Sequence, residues 1–330
     1  MRFLIVRLGA LGDIVHAVPA AAALRAAHPD AVIDWVVDAR HREFLDLVTV
    51  LDRVVVLEKQ SLAGWIDVSR RLRAGGYDAA LDLQGLLKSA VLARASGAKR
   101  VLGFSIFHLR EKTARPFYSD SVDAEGGHII RKNLRLLEAL GVHDEEIRFP
   151  LAMIDSPTAA AVVAQSEGVP IALLNPGAAW PNKRWDARRF GEVAAFLRDV
   201  RGLAPFVVWG PGEGALAHAV VEASSGTARI APATTVSDLV ALCRRAAVMI
   251  SGDTGPLHIA SAVGTPSVSL FGPTDPLRNG PWDPADVAIS RFETCGCHYD
   301  RRCHQRAWCL DSITVAELTA AVQRRTQNVS

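Results

Sequence analysis

The residues best suited to chemistry are charged side chains in glycine-rich turns that follow short apolar runs. Asp13 stands after the apolar run at 3–6 and the turn that contains Gly9 and Gly12. One interpretation makes Asp13 the N-cap of the following helix, a position that aspartate favours. The other makes it a general base, held at a ligand crevice by a turn whose glycines let the backbone come close to the ligand. The local sequence leaves both interpretations open.

A second turn, at 252–258, has the features of an anion site. A strand ends there and a helix begins near Pro256, so that backbone N–H groups and flanking glycines can hold a phosphate. His258 falls in the first helical turn, and Thr254 adds a hydroxyl. Because Lys183 lies on another strand-end loop, we interpret the two loops together as a diphosphate site. The alternative is a well-capped helix with an ordinary histidine.

A third turn, at 82–85, repeats the arrangement of the first: a strand end, a polar residue, a glycine and a helix start. It is either a simple turn capped by Gln84 or a second wall of the crevice beside Asp13, from which Lys88 reaches an anion. The glycines at 9–12 do not have the G-x-G-x-x-G spacing of dinucleotide-binding proteins, so the sequence gives little support to that class of function.

Four of the five cysteines crowd into one short stretch near the end of the chain: Cys295, Cys297, Cys303 and Cys309. In a reducing compartment such a cluster is more typical of free thiols or a metal site than of a disulfide framework. Four thiolates could hold a structural zinc or iron ion, although the C-x-C spacing is tighter than the usual C-x-x-C pair. Reduced cysteines in a surface loop are the alternative.

The composition excludes several classes of protein. The chain is 49% apolar and 22% charged, as in ordinary globular proteins, and its 330 residues suit two domains. A net charge of +2, from 37 basic and 35 acidic residues, gives no general attraction to nucleic acid, and we expect no such partner. No apolar run approaches the roughly eighteen residues of a membrane span, and early charges argue against a signal peptide. We therefore expect a cytosolic protein.

Basic residues are nevertheless concentrated in one part of the first half. This concentration is either a solvated face or a surface for an anionic partner or membrane. Its members are Arg94, Lys99, Arg100, Arg110, Lys112, Arg115, Arg131 and Lys132.

The elements that must position these residues alternate between strands and helices. This pattern predicts an α/β fold of two doubly wound domains, with parallel sheets and ligand turns at facing strand ends. We place the domains at 1–150 and 151–313, with a linker at 142–157 and an irregular loop at 105–127. The apolar runs predict strands at 3–6, 32–37, 53–57, 77–83, 99–104, 171–174, 205–209 and 248–250, and within 265–276; helices are predicted from 61 to 73, from 128 to 140, from 187 to 199 and from 235 to 245.

Six motifs, taken in order, resemble those of the ADP-heptose:lipopolysaccharide heptosyltransferases, glycosyltransferase family 9. The resemblance covers nearly the whole chain. It implies a bacterial enzyme of the GT-B fold whose first domain binds the acceptor and whose second binds the nucleotide-sugar. It also implies a C-terminal segment, 314–330, whose helix at about 314–325 packs back on the first domain. The motifs lie at 8–13 with Pro19, 82–89, 175–177 with 183–185, 209–213, 251–258 and 270–276.

The resemblance also implies an activity: inverting transfer of L-glycero-D-manno-heptose from ADP-heptose to the lipid A–core acceptor, at the inner membrane surface. Matched by position, Asp13 becomes the base for the acceptor hydroxyl, and Lys183 falls on the phosphates and sugar of the donor. Gly12, Gln84 and Lys88 fall on the acceptor side. The sugar and diphosphate are matched to Asp253, Thr254, Gly255 and His258.

Two further positions concern the donor. Glu213 corresponds to an acidic residue that contacts ribose in the family. Some members have hydroxyl residues beside the phosphates where this chain has Ala178 and Ala179. Phosphate contacts at those two positions would therefore come from backbone N–H groups.

This chemistry needs a base on the acceptor and charge neutralisation at the departing diphosphate. Lys183 and the helix start after Gly255 can neutralise the diphosphate without a metal, so we expect no cofactor to be required for catalysis. Two alternatives stay open. One is a transferase of the same fold that uses another nucleotide-sugar, and the other is a non-catalytic sugar- or metal-binding protein in which Asp13 only caps a helix.

Overall fold

The computed structural model describes residues 1–327 and divides into two compact units, Met1–Ala152 and Met153–Ser330. The division falls two residues beyond the predicted boundary at 150. Residues at the end of the first unit still bond to its interior: Pro150 O accepts from Thr49 N at 2.9 Å, and Ala152 N donates to Leu47 O at 2.8 Å. Residues 328–330 of the predicted C-terminal segment lie outside the described residues.

The first unit is built on a six-stranded parallel sheet in the order β3-β2-β1-β4-β5-β6. Its strands are β1 Arg2–Val6, β2 Val32–Asp38, β3 Arg53–Leu57, β4 Ala79–Asp82, β5 Arg100–Phe104 and β6 Asp120–Val122. Its helices are α1 Leu11–Val15, α2 Val18–Ala27, α3 Arg42–Leu45, α4 Leu62–Arg73, α5 Leu87–Ala95 and α6 Ile129–Arg135, with 3₁₀ turns at Ala39–His41, Lys112–Phe117 and Leu136–Leu140.

The second unit repeats this plan, with a six-stranded parallel sheet in the order β12-β11-β10-β7-β8-β9. Its strands are β7 Ile171–Asn175, β8 Ala204–Val207, β9 Arg229–Ile230, β10 Ala246–Gly252, β11 Ser267–Phe271 and β12 Val287–Ser290. Its helices are α7 Pro157–Gln165, α8 Ala187–Asp199, α9 Gly214–Ala223, α10 Val236–Cys243, α11 Gly255–Ala262, α12 Pro276–Asn279 and α13 Val315–Arg325, with 3₁₀ turns at Pro181–Lys183 and Cys309–Ser312.

The central strands β1, β4, β7 and β10 are apolar runs with mostly buried side chains, as expected for parallel strands covered by helices on both faces. In each sheet the strand order reverses between two of them: β1 and β4 in the first, β7 and β10 in the second. Ligands of open α/β sheets bind outside the carboxyl ends of strands at such a switch point. The predicted α/β architecture is confirmed, and its topology directs attention to the loops after these four strands.

The elements that the sequence did not predict are mainly short strands at the sheet edges. β6 falls inside the predicted loop at 105–127, and β9 and β12 were not predicted. Each is half-exposed and contains only two to four residues, too few for an alternation of apolar residues to be recognised. The small-residue helix α7 falls where the linker was expected to end.

The C-terminal helix α13 packs on the core of its own unit. Its buried face, Leu318, Ala321 and Val322, lies against α8, β11 and β12. The packing of this helix on the first domain, which the resemblance implies, stays a prediction. Two ion pairs hold it there: Arg325 Nε to Asp286 Oδ1 at 2.7 Å, and Glu317 to Arg291 of the same unit. The one apolar face of α13 is therefore buried within the second unit.

Within residues 1–327, no helix is both long enough and apolar enough to cross a bilayer.

Candidate active site

Asp13 lies at the switch point of the first sheet, in α1, directly after β1. The N-cap of this helix is Ala10, so the N-cap position assigned to Asp13 is wrong. As the third helical residue, Asp13 accepts a hydrogen bond from Ala10 N at 3.3 Å through Oδ2. Its side chain is 39% exposed. The position of Asp13 in α1 therefore leaves its carboxylate available for other contacts.

Arg7, at the end of β1, holds this carboxylate in place. Its Nη2 lies 2.6 Å from Asp13 Oδ2, and its Nη1 donates to Leu83 O at 2.5 Å. Because the guanidinium is nearly buried, its orientation is fixed by these partners. Both contacts of Asp13 use Oδ2, and within residues 1–327 Oδ1 accepts no hydrogen bond. Asp13 thus presents one oriented, unoccupied carboxylate oxygen, and Arg7 is a site residue that the sequence did not identify.

Gly9 allows His41 to pack against the same turn. A Cβ at Gly9 would lie 3.0 Å from His41 Nε2, so a larger residue would push the imidazole away. Burial lowers the pKa of His41, and the positive charge of Arg40 acts in the same direction. His41 is therefore neutral at pH 7, and it adds a second polar group near Asp13. Gly12 occupies the helical position just before Asp13, where it is partly exposed.

The loop after β4 forms the other side of this switch point. Gln84 Oε1 accepts a hydrogen bond from Leu8 N at 2.8 Å, which ties the loops after β1 and β4 together. The N-cap of α5 is Leu86, so the capping role considered for Gln84 is wrong. Within the described residues, neither Gln84 Nε2 nor the exposed Lys88 ammonium has a hydrogen-bond or ion-pair partner. Both are available to a ligand.

Asp82, at the end of β4, stabilises the loop that follows from the interior of the protein. It is fully buried and accepts hydrogen bonds from Tyr118 Oη at 2.7 Å and from Ser89 Oγ at 2.9 Å. Burial raises the pKa of the Asp82 carboxyl, while the bonds from Tyr118, Ser89 and the backbone of Gln84 and Gly85 oppose that rise. Because all of its hydrogen-bond donors belong to the protein itself, Asp82 stabilises the loop after β4 and is not available to a ligand.

Asp253 is the centre of the site in the second unit. Its carboxylate, 5% exposed, lies 2.5 Å from Lys183 Nζ, 2.7 Å from Thr274 Oγ1 and 3.1 Å from His258 Nε2. Burial opposes its charged form, but the hydrogen bond from His258 and the charges of Lys183 and His258 outweigh that cost and lower the pKa of Asp253. The buried Asp253 carboxylate therefore stays ionised. It orients both Lys183, on the 3₁₀ turn Pro181–Lys183, and His258, on α11.

Lys183 is fixed on its other side by an aromatic ring. Its Nζ lies 4.5 Å from the centroid of Trp180, and its side chain is 14% exposed. The loop that carries it approaches β10 closely, since a Cβ at Gly252 would lie 2.8 Å from Lys183 O. Gly252 is needed for this approach rather than for an unusual backbone angle. Neither Trp180 nor Thr274 was identified as a site residue from the sequence.

The start of α11 provides backbone donors beside these charges. Thr254 is the N-cap, yet its hydroxyl makes no capping bond. Instead Asn175 Nδ2 donates to Thr254 Oγ1 and to Ser251 Oγ, both at 2.9 Å, and so connects the ends of β7 and β10. The N–H groups of the first helical turn, which begins at Gly255, are left without a side-chain cap. Such uncapped N–H groups are able to hold an anion, and the anion site at this turn stays a prediction.

Glu213 lies at the N-cap of α9 and is largely buried. Its Oε2 accepts from Gly210 N at 3.0 Å, and a Cβ at Gly177 would come within 2.0 Å of it, so only glycine fits there. Ala178 is buried, with its carbonyl accepting from Arg184 Nε at 2.8 Å, whereas Ala179 is exposed. Ala178 and Ala179 therefore contribute no side-chain hydroxyl to the donor site.

The four clustered cysteines lie close together as free thiols. Cys297 Sγ is 2.9 Å from Cys303 Sγ, and burial raises the pKa of Cys309 to about 12, with a hydrogen bond to Cys295 acting in the same direction. Sulfurs around a tetrahedral zinc ion, with Zn–S of about 2.3 Å, would be spaced by about 3.8 Å. Over residues 1–327 no group of three or more His, Cys, Asp or Glu side chains is arranged to hold a metal ion. The four thiols therefore form two close pairs, and their sulfur atoms are not arranged around a common centre as in a preformed metal site.

This cysteine segment supports the loops of the donor site. Asn182 Nδ2, next to Lys183, donates to Asp300 O at 2.9 Å, and Tyr299 N donates to Pro273 O at 2.8 Å. Pro273 precedes Thr274, which bonds to Asp253. The cysteines thus lie behind the site rather than in it.

Comparison with known proteins identifies the family. The model of glycosyltransferase family 9 (heptosyltransferase) matches residues 65–309, about three quarters of the chain. The chain belongs to glycosyltransferase family 9. Lys183, Asp253 and the wall at Gln84 fall inside the matched range, and Asp13 precedes it. The protein is therefore a glycosyltransferase, as the motifs predicted.

Individual relatives extend the family match to nearly the whole chain. Lipopolysaccharide heptosyltransferase 1 of Pseudomonas aeruginosa is 28% identical over 316 residues, covering 92% of this chain and 87% of that protein. Among solved structures, Escherichia coli heptosyltransferase WaaC with ADP has a TM-score of 0.78 at 22% identity, with 98% and 100% of the two chains covered. A family 9 glycosyltransferase of Veillonella parvula has a TM-score of 0.83 at 22% identity, with 99% and 97% covered. The fold is GT-B.

Proposed function

We propose that the protein transfers L-glycero-D-manno-heptose from ADP-heptose to the inner core of lipopolysaccharide. The observation that carries the proposal is the pair of switch-point sites, one in each unit. The first presents an oriented carboxylate oxygen, and the second presents a lysine, a histidine and an uncapped helix start. A base and a diphosphate site are the two requirements of sugar transfer from a nucleotide donor.

On the acceptor side, Asp13 takes the proton of the attacking hydroxyl through its unoccupied Oδ1. Arg7 holds the carboxylate in one orientation, while Gln84 Nε2 and Lys88 are the free donors that can hold the acceptor's polar groups. The acceptor is the lipid A–core precursor, which carries phosphate, and Lys88 is suited to such an anion.

On the donor side, the diphosphate lies at the start of α11, beside Gly255 and within reach of Lys183. Lys183 shares its charge between Asp253 and the departing phosphate, so the negative charge that develops on the leaving group is met without any movement of the loop. Glu213 takes the ribose. Inversion at the anomeric carbon requires the acceptor hydroxyl to attack from the side opposite the diphosphate. Transfer therefore needs the sugars held by the two units to meet.

A donor panel tests the proposal. Calorimetry with ADP-heptose, a UDP-sugar and a GDP-sugar should give binding for the first alone. Mass spectrometry of the acceptor after reaction should then show the mass of one added heptose. ADP release that proceeds equally without acceptor, or transfer from a UDP- or GDP-sugar, would assign the protein to another activity of the same fold.

We further propose that the enzyme is cytoplasmic and peripheral to the inner membrane, where its lipid-linked acceptor lies. The structure divides the basic group of the first unit in two. Lys99 and Arg100 are in ion pairs with Asp78 and Asp120, each at 2.7 Å. Arg94, Arg110 and Lys112, by contrast, have no ion-pair partner within residues 1–327, and they are the cations free to attract anionic lipid.

Reversing the charge of Arg94, Arg110 and Lys112 together to glutamate should therefore weaken binding to anionic vesicles about tenfold or more at low salt. Co-sedimentation with vesicles that contain phosphatidylglycerol measures this, and the apparent KM for the acceptor should rise in parallel. The matched control reverses Lys99 and Arg100, whose charges are already compensated. Vesicle binding that changes neither with the triple substitution nor with added salt would contradict the proposed membrane-binding surface.

For the cysteine segment we propose a structural role for zinc or iron, bound by Cys295, Cys297, Cys303 and Cys309 once the paired thiols separate. The proposal rests on four thiols gathered behind the donor loops. Protein purified without chelator should then carry about one equivalent of metal, and Cys303→Ser should lose it while Cys243→Ser keeps it. Elemental analysis together with thiol titration decides: no metal and four freely titrating thiols would make the segment a reduced surface loop.

A further inference from the structure

A groove in the first unit, which begins beside the switch point, lies between α4 and α5. It has a volume of about 690 Å³, within the range of pockets that bind small ligands. Its lining is largely apolar: Ile66, Leu87 and Val91 are 43, 40 and 42% exposed along it, with Trp65 and Leu92 beside them. Apolar side chains gathered in one exposed concavity indicate a binding site for an apolar group.

The polar part of the same lining is cationic. Arg70, Arg73 and Lys88 line the groove, and none of their side chains has an ion pair or hydrogen bond in the described part of the chain. The adjacent Arg71 is by contrast engaged by Asp67 at 3.0 Å. Glu111, the acidic lining residue, is occupied as acceptor of Leu87 N at 2.7 Å. The lining therefore combines apolar side chains with three cations that have no ion-pair partner and one carboxylate, so that it carries a net positive charge. Such a groove is complementary to an anionic group that carries a hydrocarbon chain.

The groove is continuous with the acceptor wall. α5 begins at Leu87, and Lys88 belongs both to the groove and to the loop whose Gln84 is bonded to Leu8. The four backbone steps from Gln84 to Lys88 span at most about 14 Å. A ligand with its sugar at Asp13 can therefore extend past Lys88 into the groove.

We propose that this groove binds an acyl chain of the glycolipid acceptor, while Arg70, Arg73 and Lys88 meet its anionic groups. The inference rests on the proposed function for the identity of the acceptor. An open groove of this size lets one chain lie along its apolar residues, whereas a flat apolar patch would suit a bilayer surface. The acceptor's lipid part would thus contribute to recognition directly, in addition to anchoring the substrate in the membrane.

Direct binding of cis-parinaric acid, a fluorescent fatty acid with a carboxylate and one acyl chain, tests the groove without any need for transfer. Val91→Asp and Ile66→Asp should each raise its Kd at least tenfold, and Arg70→Gln combined with Arg73→Gln should raise it about threefold. Leu277→Asp is the matched control, since Leu277 is 80% exposed on α12 of the other unit. Equal Kd values for wild type and all groove variants, with melting curves unchanged, would overturn the proposal.

Kinetics with two acceptors then locate the effect. Val91→Asp and Ile66→Asp should each raise the KM for the acylated acceptor about tenfold and leave the KM values for its fully deacylated form and for the donor unchanged. Equal changes with both acceptors would overturn the proposal, as would an unchanged KM accompanied by lost vesicle binding, or by loss of a dimer in light scattering. If neither acceptor is a substrate but cis-parinaric acid binding depends on the groove, the proposed function fails and the acyl site stands.

Discussion

Replacing Asp13 by asparagine should reduce kcat by about 10²–10⁴-fold, the usual contribution of a general base. The reason is that, among residues 1–327, Oδ1 of Asp13 is the one carboxylate oxygen at the first switch point that is oriented and unoccupied, whereas Oδ2 is held by Arg7 at 2.6 Å. An amide keeps the shape and can still accept from Ala10 N and Arg7, but it cannot take a proton. Donor affinity should not change, because the diphosphate site belongs to the second unit.

The measurement is kcat at saturating donor and acceptor, beside a melting curve and donor calorimetry. Asp238→Asn is the matched control: Asp238 is also the third residue of its helix, α10, and accepts from the N-cap nitrogen of Thr235 at 3.1 Å. Each variant should lose about 1–3 kcal/mol of stability, the scale of hydrogen bonds to a charged group, because Asp13→Asn leaves Arg7 without its charge partner and Asp238 also accepts from Ser156 Oγ at 2.6 Å. If Asp13→Asn turns over as fast as Asp238→Asn, then Asp13 only supports its helix and the enzyme uses another base.

Replacing Lys183 by alanine should weaken ADP-heptose binding by roughly 1.5–3 kcal/mol, the scale of a charged hydrogen bond, or about 10- to 150-fold in Kd. The structure adds a second consequence. Lys183 also compensates the buried carboxylate of Asp253, with 2.5 Å between the charged atoms. Removal of one partner of a buried pair is costly, so we expect a loss of stability of up to about 3 kcal/mol, moderated by the remaining partners His258 and Thr274.

A double variant separates the two effects. Lys183→Met with Asp253→Asn removes both charges together, so stability should recover relative to Lys183→Met while donor affinity does not. The pH dependence has a definite sign. Because the pKa of Asp253 is lowered on folding, the stabilisation is complete above the unfolded pKa of about 3.9 and is lost as the pH falls through the folded value. The stability difference between wild type and Lys183→Met should therefore shrink in acid.

Calorimetry with ADP-heptose and chemical unfolding at several pH values measure both effects. Arg188→Ala is a suitable control, since Arg188 is a cation on the following helix, α8, with no ion-pair partner in the described residues. Unchanged donor affinity and turnover in Lys183→Ala would show that the lysine does not contact the donor.

Much of the fold was predictable because its determinants are local. The runs that form β1, β3, β7 and β10 are apolar over four or more residues, and a glycine or proline follows closely after each of them except β3. Alternation with helical periodicity then leaves a parallel sheet as the consistent arrangement. The edge strands β6, β9 and β12 were missed because a short strand with one exposed edge carries no comparable pattern.

The sequence by itself determined which loops carry the chemistry, since Asp13, Gln84, Lys183 and Asp253 each follow an apolar strand within a few residues. Only the tertiary structure decided what holds these side chains. Arg7 reaches Leu83 across 76 positions of sequence, and the ion pair of Lys183 with Asp253 spans 70 positions. Such partners leave no local pattern, because any buried cation or carboxylate elsewhere in the chain could have supplied them.

The same limit applies to the helices. The one-sided apolar pattern of α13 indicated a helix that packs, but a pattern on one helix does not specify which surface receives it, and the structure places it on the core of its own unit. Likewise α4 and α5 were separately predictable, whereas the groove between them depends on their packing side by side. The sequence determines local conformation and chemical type; distances between elements are decided by the shared core that buries their apolar faces.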